Sequence, residues 1–146
     1  HESPRRGMEF VTRKITNTVA KIKLGLEKEL KLGNIDVKRD WGYAPEYVET
    51  MWLMLNQKNP NDYVISTGES HSIKEFLEIA FGYVDLNWSD FVKIDPKFFR
   101  PSEIYEVKGD SSKAKADLRW EPKTPFSEIV KIMVDEDIRT LKLKSA

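Results

Sequence analysis

Lys38-Arg39-Asp40-Trp41-Gly42-Tyr43-Ala44-Pro45-Glu46-Tyr47-Val48-Glu49-Thr50-Met51-Trp52 runs from a charged, extended segment through a turn glycine and a proline into a helix. Ala44, Tyr47, Val48, Met51, Trp52 and Leu55 recur at helical spacing, so one face of this helix is apolar. Pro45 suits the first helical turn, where the amide it lacks would have no intrahelical partner. Arg39 is thereby held just outside an anchored helix, beside an aromatic turn. Two roles are open to it. It can pair with Asp40 or another carboxylate, or its planar guanidinium can grip an anion such as a phosphate.

Downstream, Asn59-Pro60-Asn61 breaks the chain, and Tyr63-Val64-Ile65-Ser66-Thr67 predicts a buried strand ending at Gly68. Ser72 with Glu75 three residues later forms a capping box. The helix it opens carries Ile73, Phe76, Leu77, Ala80, Phe81 and Val84 on its core face. Phe91-Val92-Lys93-Ile94 predicts another strand. Residues 97–101 are expected to be extended, because Pro101 disfavours the helical region for Arg100. Asp110 or Ser111 caps a short helix through Asp117, and Trp120-Glu121-Pro122 stops it. Thr124-Pro125 then opens a last helix facing inward through Phe126, Ile129, Val130, Met133, Val134, Ile138 and Leu141.

Upstream, residues 1–9 form a loop punctuated by Pro4 and Gly7. Val11, Ile15, Val19, Ile22 and Leu26 mark a long amphipathic helix, and Leu30 and Leu32 a short strand closing at Gly33-Asn34. The expected fold is α/β, with about five helices and three or four short strands, too few for a self-sufficient doubly wound sheet. Residues 1–146 therefore read as one lobe of a larger α/β protein. The opening His1-Glu2-Ser3 reads as the middle of a chain, cut on its N-terminal side.

Composition narrows the function. Lys+Arg and Asp+Glu are 24 each, so the formal net charge is zero. That balance argues against a nucleic-acid or membrane-surface protein. The absence of cysteine removes disulfides, thiolate metal sites and cysteine nucleophiles. No apolar run reaches the roughly 18 to 20 residues that span a bilayer. No signal peptide precedes the fold, so a cytoplasmic protein is expected.

The common catalytic signatures are missing: no Gly-x-Gly-x-x-Gly turn, no P-loop and no Gly-x-Ser-x-Gly elbow. His1 and His71 have no metal-ligating companions at useful spacing, so no metal is expected. His71, next to the capping Ser72, reads as a surface or capping residue. Glu69 and Glu75 read as a solvated residue and a capping partner rather than an acid–base pair. What remains is a dispersed set of cations: Arg5, Arg6, Lys14, Arg39 and Arg100. Arg100-Pro101-Ser102-Glu103 is the most informative of these, since Arg can clamp a diphosphate while Glu accepts from sugar hydroxyls. A local Arg100–Glu103 ion pair explains the same residues. Trp41, in the turn, is a candidate pocket wall.

Taken together, several segments resemble the GDP-mannose 4,6-dehydratase family, a branch of the extended short-chain dehydrogenases/reductases. They are His1-Glu2-Ser3-Pro4-Arg5-Arg6-Gly7, Phe10-Val11-Thr12-Arg13-Lys14-Ile15, Leu32-Gly33-Asn34, Arg39-Asp40-Trp41-Gly42, Tyr47-Val48-Glu49, Thr67-Gly68-Glu69, Arg100-Pro101 with Glu103, and Gly109-Asp110. They cover nearly the whole chain in the family's order. Met8, Pro45-Glu46 and Arg119, the last in place of the usual glycine before Trp120, are departures.

The resemblance implies a C-terminal substrate-binding lobe whose Rossmann half, with its catalytic Thr, Glu and Tyr-x-x-x-Lys, lies outside this chain. It implies NADP contacts at His1 and Arg6, and guanosine contacts at Val11, Lys14 and Asn34. Arg39 and Arg100 would hold the diphosphate, and Glu103 the ribose. No catalytic residue is assigned within residues 1–146. The implied partners are GDP-mannose, the N-terminal Rossmann domain, and further copies in a homo-oligomer. The alternatives are another nucleotide-sugar epimerase or dehydratase, acting on a UDP- or dTDP-sugar, and a non-catalytic nucleotide-sugar-binding or assembly module.

Overall fold

The structure, a computed structural model, describes residues 1–145. Three helices enclose its main core. They are α1 (Val11–Lys23), α3 (Ile73–Tyr83) and α5 (Phe126–Ser145). Ile15 and Val19 of α1, Phe76, Leu77, Ala80 and Phe81 of α3, and Val130 and Val134 of α5 are wholly buried there. Each helix thus presents the face its apolar spacing predicts. α1 ends before Leu26, because Gly25 at φ +72 turns the chain away and leaves Leu26 exposed.

The capping box forms in full. The amide of Glu75 donates to Ser72 Oγ at 3.0 Å, and the amide of Ser72 donates to Glu75 Oε2 at 2.8 Å. Two first-turn amides of α3 are satisfied in this way before its apolar face begins.

The strands are short and lie beside this core. β1 (Leu30–Leu32) pairs in parallel with β4 (Val92–Ile94), with Leu30 opposite Val92. β2 (Lys38–Arg39) is central in a second sheet. It runs antiparallel to β3 (His71–Ser72) and parallel to β5 (Glu106–Val107). The sheet joins three distant stretches of chain at Arg39.

α2 (Ala44–Leu55) follows β2 directly, and α4 (Ser112–Leu118) packs near it. Ala114, Leu118 and Trp120 form a small second core against Leu53, Met54, Tyr63 and Ile65. The predicted apolar face of α2 is only partly used. Tyr47 is buried, whereas Val48, Met51, Trp52 and Leu55 are exposed, Leu55 at 86%. Helical periodicity marks a face to be covered, and within residues 1–145 nothing covers this one.

Two expectations are corrected. Residues 63–67 form no strand; Val64 is exposed and the run has no ladder partner among the described residues. High β-propensity gives a strand only where a neighbour completes the hydrogen bonds. Residues 97–101 are not uniformly extended, since Pro96–Phe98 makes a 3-10 turn with Asp95 capping the amide of Lys97 at 3.0 Å. Phe99, at φ -75 and ψ 137, is extended, and a turn follows at Pro101-Ser102.

Arg119 adopts the left-handed conformation at φ +55, closing α4. Glycine reaches that region without the Cβ clash an arginine incurs, so the departure at this position carries local strain. No described helix is long and apolar enough to cross a membrane.

Candidate functional site

A cleft of about 380 Å³ opens where the 1–10 loop, the start of α1, the Gly33-Asn34 turn, β2 and the 98–103 segment meet. Arg6, Val11, Lys14, Asn34, Arg39, Arg100 and Glu103 are among the residues that line it. These residues come from five separated stretches, and all but one of the sequence-predicted binding residues meet here. The exception is His1, which lies outside the lining and packs edge-on against the Tyr47 ring at 4.1 Å. Arg5 also lies outside.

Arg39 does not pair with Asp40. The Asp40 carboxylate accepts from Thr67 Oγ1 at 2.6 Å and from the amides of Thr67, Gly68 and Gly109 at 2.9, 3.0 and 3.2 Å. Its acceptor capacity is spent on fixing two loops. The Arg39 guanidinium is steadied instead by backbone carbonyls, donating to Lys38 O at 2.7 Å and to Tyr105 O at 3.5 Å. It is a held cation with no carboxylate partner among the described residues. Arg100 and Glu103 likewise form no ion pair with each other, which disposes of the local-pair explanation.

Lys14, from α1, reaches the strand and turn that line the cleft. Its ammonium donates to Lys31 O at 2.7 Å and lies 4.4 Å from the Phe98 ring centre. Partial burial pulls the Lys14 ammonium below the ordinary lysine value. Gly33 lies so close to the Phe98 carbonyl that any side chain there would collide with it, which keeps the two walls in register.

Several lining residues escaped the sequence reading, among them Phe98 and Glu2. Phe98 contributes a half-exposed ring beside Lys14. Glu2, 2% exposed, accepts from Thr12 Oγ1 at 2.5 Å and has Arg6 Nε 3.7 Å away. Burial pushes the Glu2 carboxyl above the usual carboxylate range, against the opposing pull of Thr12 and Arg6. Its backbone is pinned to the aromatic turn, with Glu2 N donating to Gly42 O at 2.8 Å and Ala44 N to Glu2 O at 2.9 Å. A lone loop acid carries no local sign of such burial; the only hint was its place in the Glu-Ser-Pro-Arg-Arg-Gly segment.

Arg6 stacks its guanidinium 3.5 Å from the Phe10 ring centre, and its Nη1 donates to His1 O at 3.3 Å. Its buried Nε has no hydrogen-bond partner among the described residues. Trp41 is both wall and core, stacked 5.8 Å from Phe126 and edge-on to Phe76 at 5.6 Å. His71 is built into the same aromatic layer, 3.9 Å from Phe126, with Glu75 3.3 Å from its Nδ1. Burial, helped by Asp40, Glu46 and Glu2, pushes the Tyr47 phenol up to about 12, so it stays protonated. The cleft therefore combines cationic donors with carboxylate acceptors, a chemistry suited to phosphates and sugar hydroxyls.

Three kinds of similarity bear on this geometry. The family model described as GDP-mannose 4,6 dehydratase matches residues 1–133. GDP-mannose 4,6 dehydratase 1 of Arabidopsis thaliana is 59% identical over 142 residues, covering 97% of this chain and 39% of that protein. GDP-mannose 4,6 dehydratase of Homo sapiens is 45% identical over 159 residues, covering 97% of this chain and 43% of its own length. The chain thus spans about two fifths of the curated relatives it matches. Among solved structures, RMD from Pseudomonas aeruginosa complexed with NADPH superposes with a TM-score of 0.87 at 20% identity, covering 96% of this chain and 46% of that one. UDP-glucose 4-epimerase from Thermotoga maritima gives 0.74 at 22% identity, with 96% and 42% covered. The solved structures share the α/β fold, and the sequence relatives settle the lineage: the chain belongs to the GDP-mannose 4,6-dehydratase family.

Proposed function

We propose that residues 1–146 are the C-terminal, nucleotide-gripping portion of a GDP-mannose 4,6-dehydratase, an extended short-chain dehydrogenase/reductase that converts GDP-mannose to GDP-4-keto-6-deoxymannose. The observation that carries this reading is the meeting of Lys14, Arg39, Arg100 and Glu103 in one cleft, with Arg39 left without a carboxylate partner. Arg39 and Arg100 clamp the diphosphate, and Glu103 accepts from the ribose hydroxyls. Val11, Lys14 and Asn34 hold the guanosine end, where an ammonium and a side-chain amide can meet a polar base edge.

Arg6 lines the cleft with its Nε 3.7 Å from the Glu2 carboxylate, its guanidinium offers a cation to an anionic cofactor edge, and His1 packs on the Tyr47 ring. NADP, which supplies a hydride acceptor and donor when bound, would touch these two residues and be held mainly by the segment outside this chain. The residues here bind and orient; the bond-breaking groups belong to that other segment.

The same segment would cover Val48, Met51, Trp52 and Leu55 of α2 and the unpaired run around Val64. Exposed apolar faces of this kind drive association. Sedimentation of the 1–146 chain alone is expected to show self-association that Trp52→Glu with Leu55→Glu abolishes. A monomeric parent chain would argue against a missing cover. By resemblance, the complete enzyme is a cytoplasmic homo-oligomer, a dimer or tetramer.

Calorimetric ranking of nucleotides on the complete enzyme tests the substrate. GDP is expected to bind at least about tenfold more tightly than UDP or dTDP, a difference of about 1.4 kcal/mol. Preference for a pyrimidine nucleotide would transfer the chain to another nucleotide-sugar epimerase or dehydratase, and binding of none would leave an assembly module.

A further inference from the structure

Arg13 and Asp137 belong neither to the cleft lining nor to the apolar core, yet among the described residues Asp137 accepts from Arg13, Thr16 and Asn17 at once. Asp137, 1% exposed on α5, lies 124 residues from Arg13 on α1. Its Oδ1 accepts from Arg13 Nη2 at 2.7 Å, Arg13 Nε at 3.1 Å and Asn17 Nδ2 at 3.2 Å. Its Oδ2 accepts from Thr16 Oγ1 at 2.7 Å and Arg13 Nε at 3.2 Å. Asp137 also lies beyond residues 1–133, the part matched by the family model.

The other edge of the same guanidinium faces the N-terminal loop. Arg13 Nη1 donates to the carbonyl of Pro4 and, at 3.3 Å, to that of Arg6. The loop's own backbone bonds are local, with Arg6 N on Ser3 O at 3.0 Å and Phe10 N on Gly7 O at 3.2 Å. Among the described residues between Glu2 and Phe10, Arg13 therefore ties the loop backbone to the helical core.

A buried ion pair contributes little net stability compared with an apolar pair of equal volume. What a guanidinium adds is direction: a rigid fork that can engage a carboxylate and two carbonyls at once. We infer that Asp137 is a positioning residue, which by holding Arg13 fixes the Pro4–Arg6 backbone and so sets where Arg6 points in the cleft. The role rests on the reading above, in which Arg6 meets the cofactor.

The test uses the complete enzyme carrying Asp137→Asn, with Arg13→Lys as a second variant that keeps the charge but loses the fork. Hydrogen exchange of residues 3–7 is expected to quicken about tenfold in both, with α3 unchanged, and NADP affinity to fall about tenfold while GDP affinity moves less than about twofold. In an Arg6→Ala background, Asp137→Asn should weaken NADP no further, because the two act in series. Unchanged exchange at 3–7 overturns the inference. So does quickened exchange with undiminished NADP binding, when Arg6→Ala alone still weakens it. If Arg6→Ala affects neither ligand, the cofactor reading of Arg6 fails separately, and the exchange measurement alone decides the tether.

Discussion

Replacing Arg39 by alanine in the complete enzyme is expected to weaken GDP binding about 30-fold, or about 2 kcal/mol. The size follows from what the side chain lacks. Asp40 is consumed by Thr67, Gly68 and Gly109, and the guanidinium rests on two neutral carbonyls. A phosphate would supply the charged, bidentate acceptor that neither carbonyl provides. Arg39→Lys should recover only part of the loss, since an ammonium reproduces the charge but not the fork. Arg100→Ala should behave like Arg39→Ala, with a smaller loss where the more exposed side chain is better screened. Calorimetry with GDP measures all three, and unchanged affinity in both alanine variants would remove the diphosphate assignment.

Phe76→Ala should lower the unfolding free energy by about 3–5 kcal/mol, the range for emptying a fully buried aromatic site. Phe76 is wholly buried and meets Trp41 and Phe126 edge-on at 5.6 and 5.8 Å. Few neighbours can close the void, because Trp41 is held between Phe76, Phe126 and the cleft. Urea denaturation of the complete enzyme should show the midpoint falling in the transition that involves this lobe. The change should also reach the ligand, since Trp41 forms part of the cleft wall. A loss below about 1 kcal/mol would mean that the aromatic layer relaxes far more freely than a close-packed core does.

The parts of this molecule that could be read in advance are those whose causes lie within a few residues. The capping box needs only Ser72 and Glu75, and the stripes of α1, α3 and α5 need only a repeat of three or four. Arg39 shows the opposite case. Whether it was a surface ion pair or a free clamp depended on Asp40, whose partners lie 27, 28 and 69 residues away. Glu2 was missed for the same reason, its burial being set by Thr12 and the Gly42 turn. Residues 63–67 have the composition of a strand, but a ladder needs a neighbour. The periodicity of α2 identified an apolar face without saying whether its cover lay in the same chain. Arg119 stood out as a departure from the family's pattern, and the reason that glycine is usual there became visible only in its left-handed backbone.

The bridge between Arg13 and Asp137 also sets a timetable for synthesis. Its two ends are 124 residues apart, so at 5–20 residues per second the ribosome needs about 6–25 s to deliver the second after the first. Through that interval α1 has no α5 to cover Ile15 and Val19, and the parallel pairing of β1 must wait for β4. Through those seconds the nascent chain carries an arginine without its carboxylate partner and an open apolar face on α1. Chaperone demand should therefore fall steeply once α5 emerges.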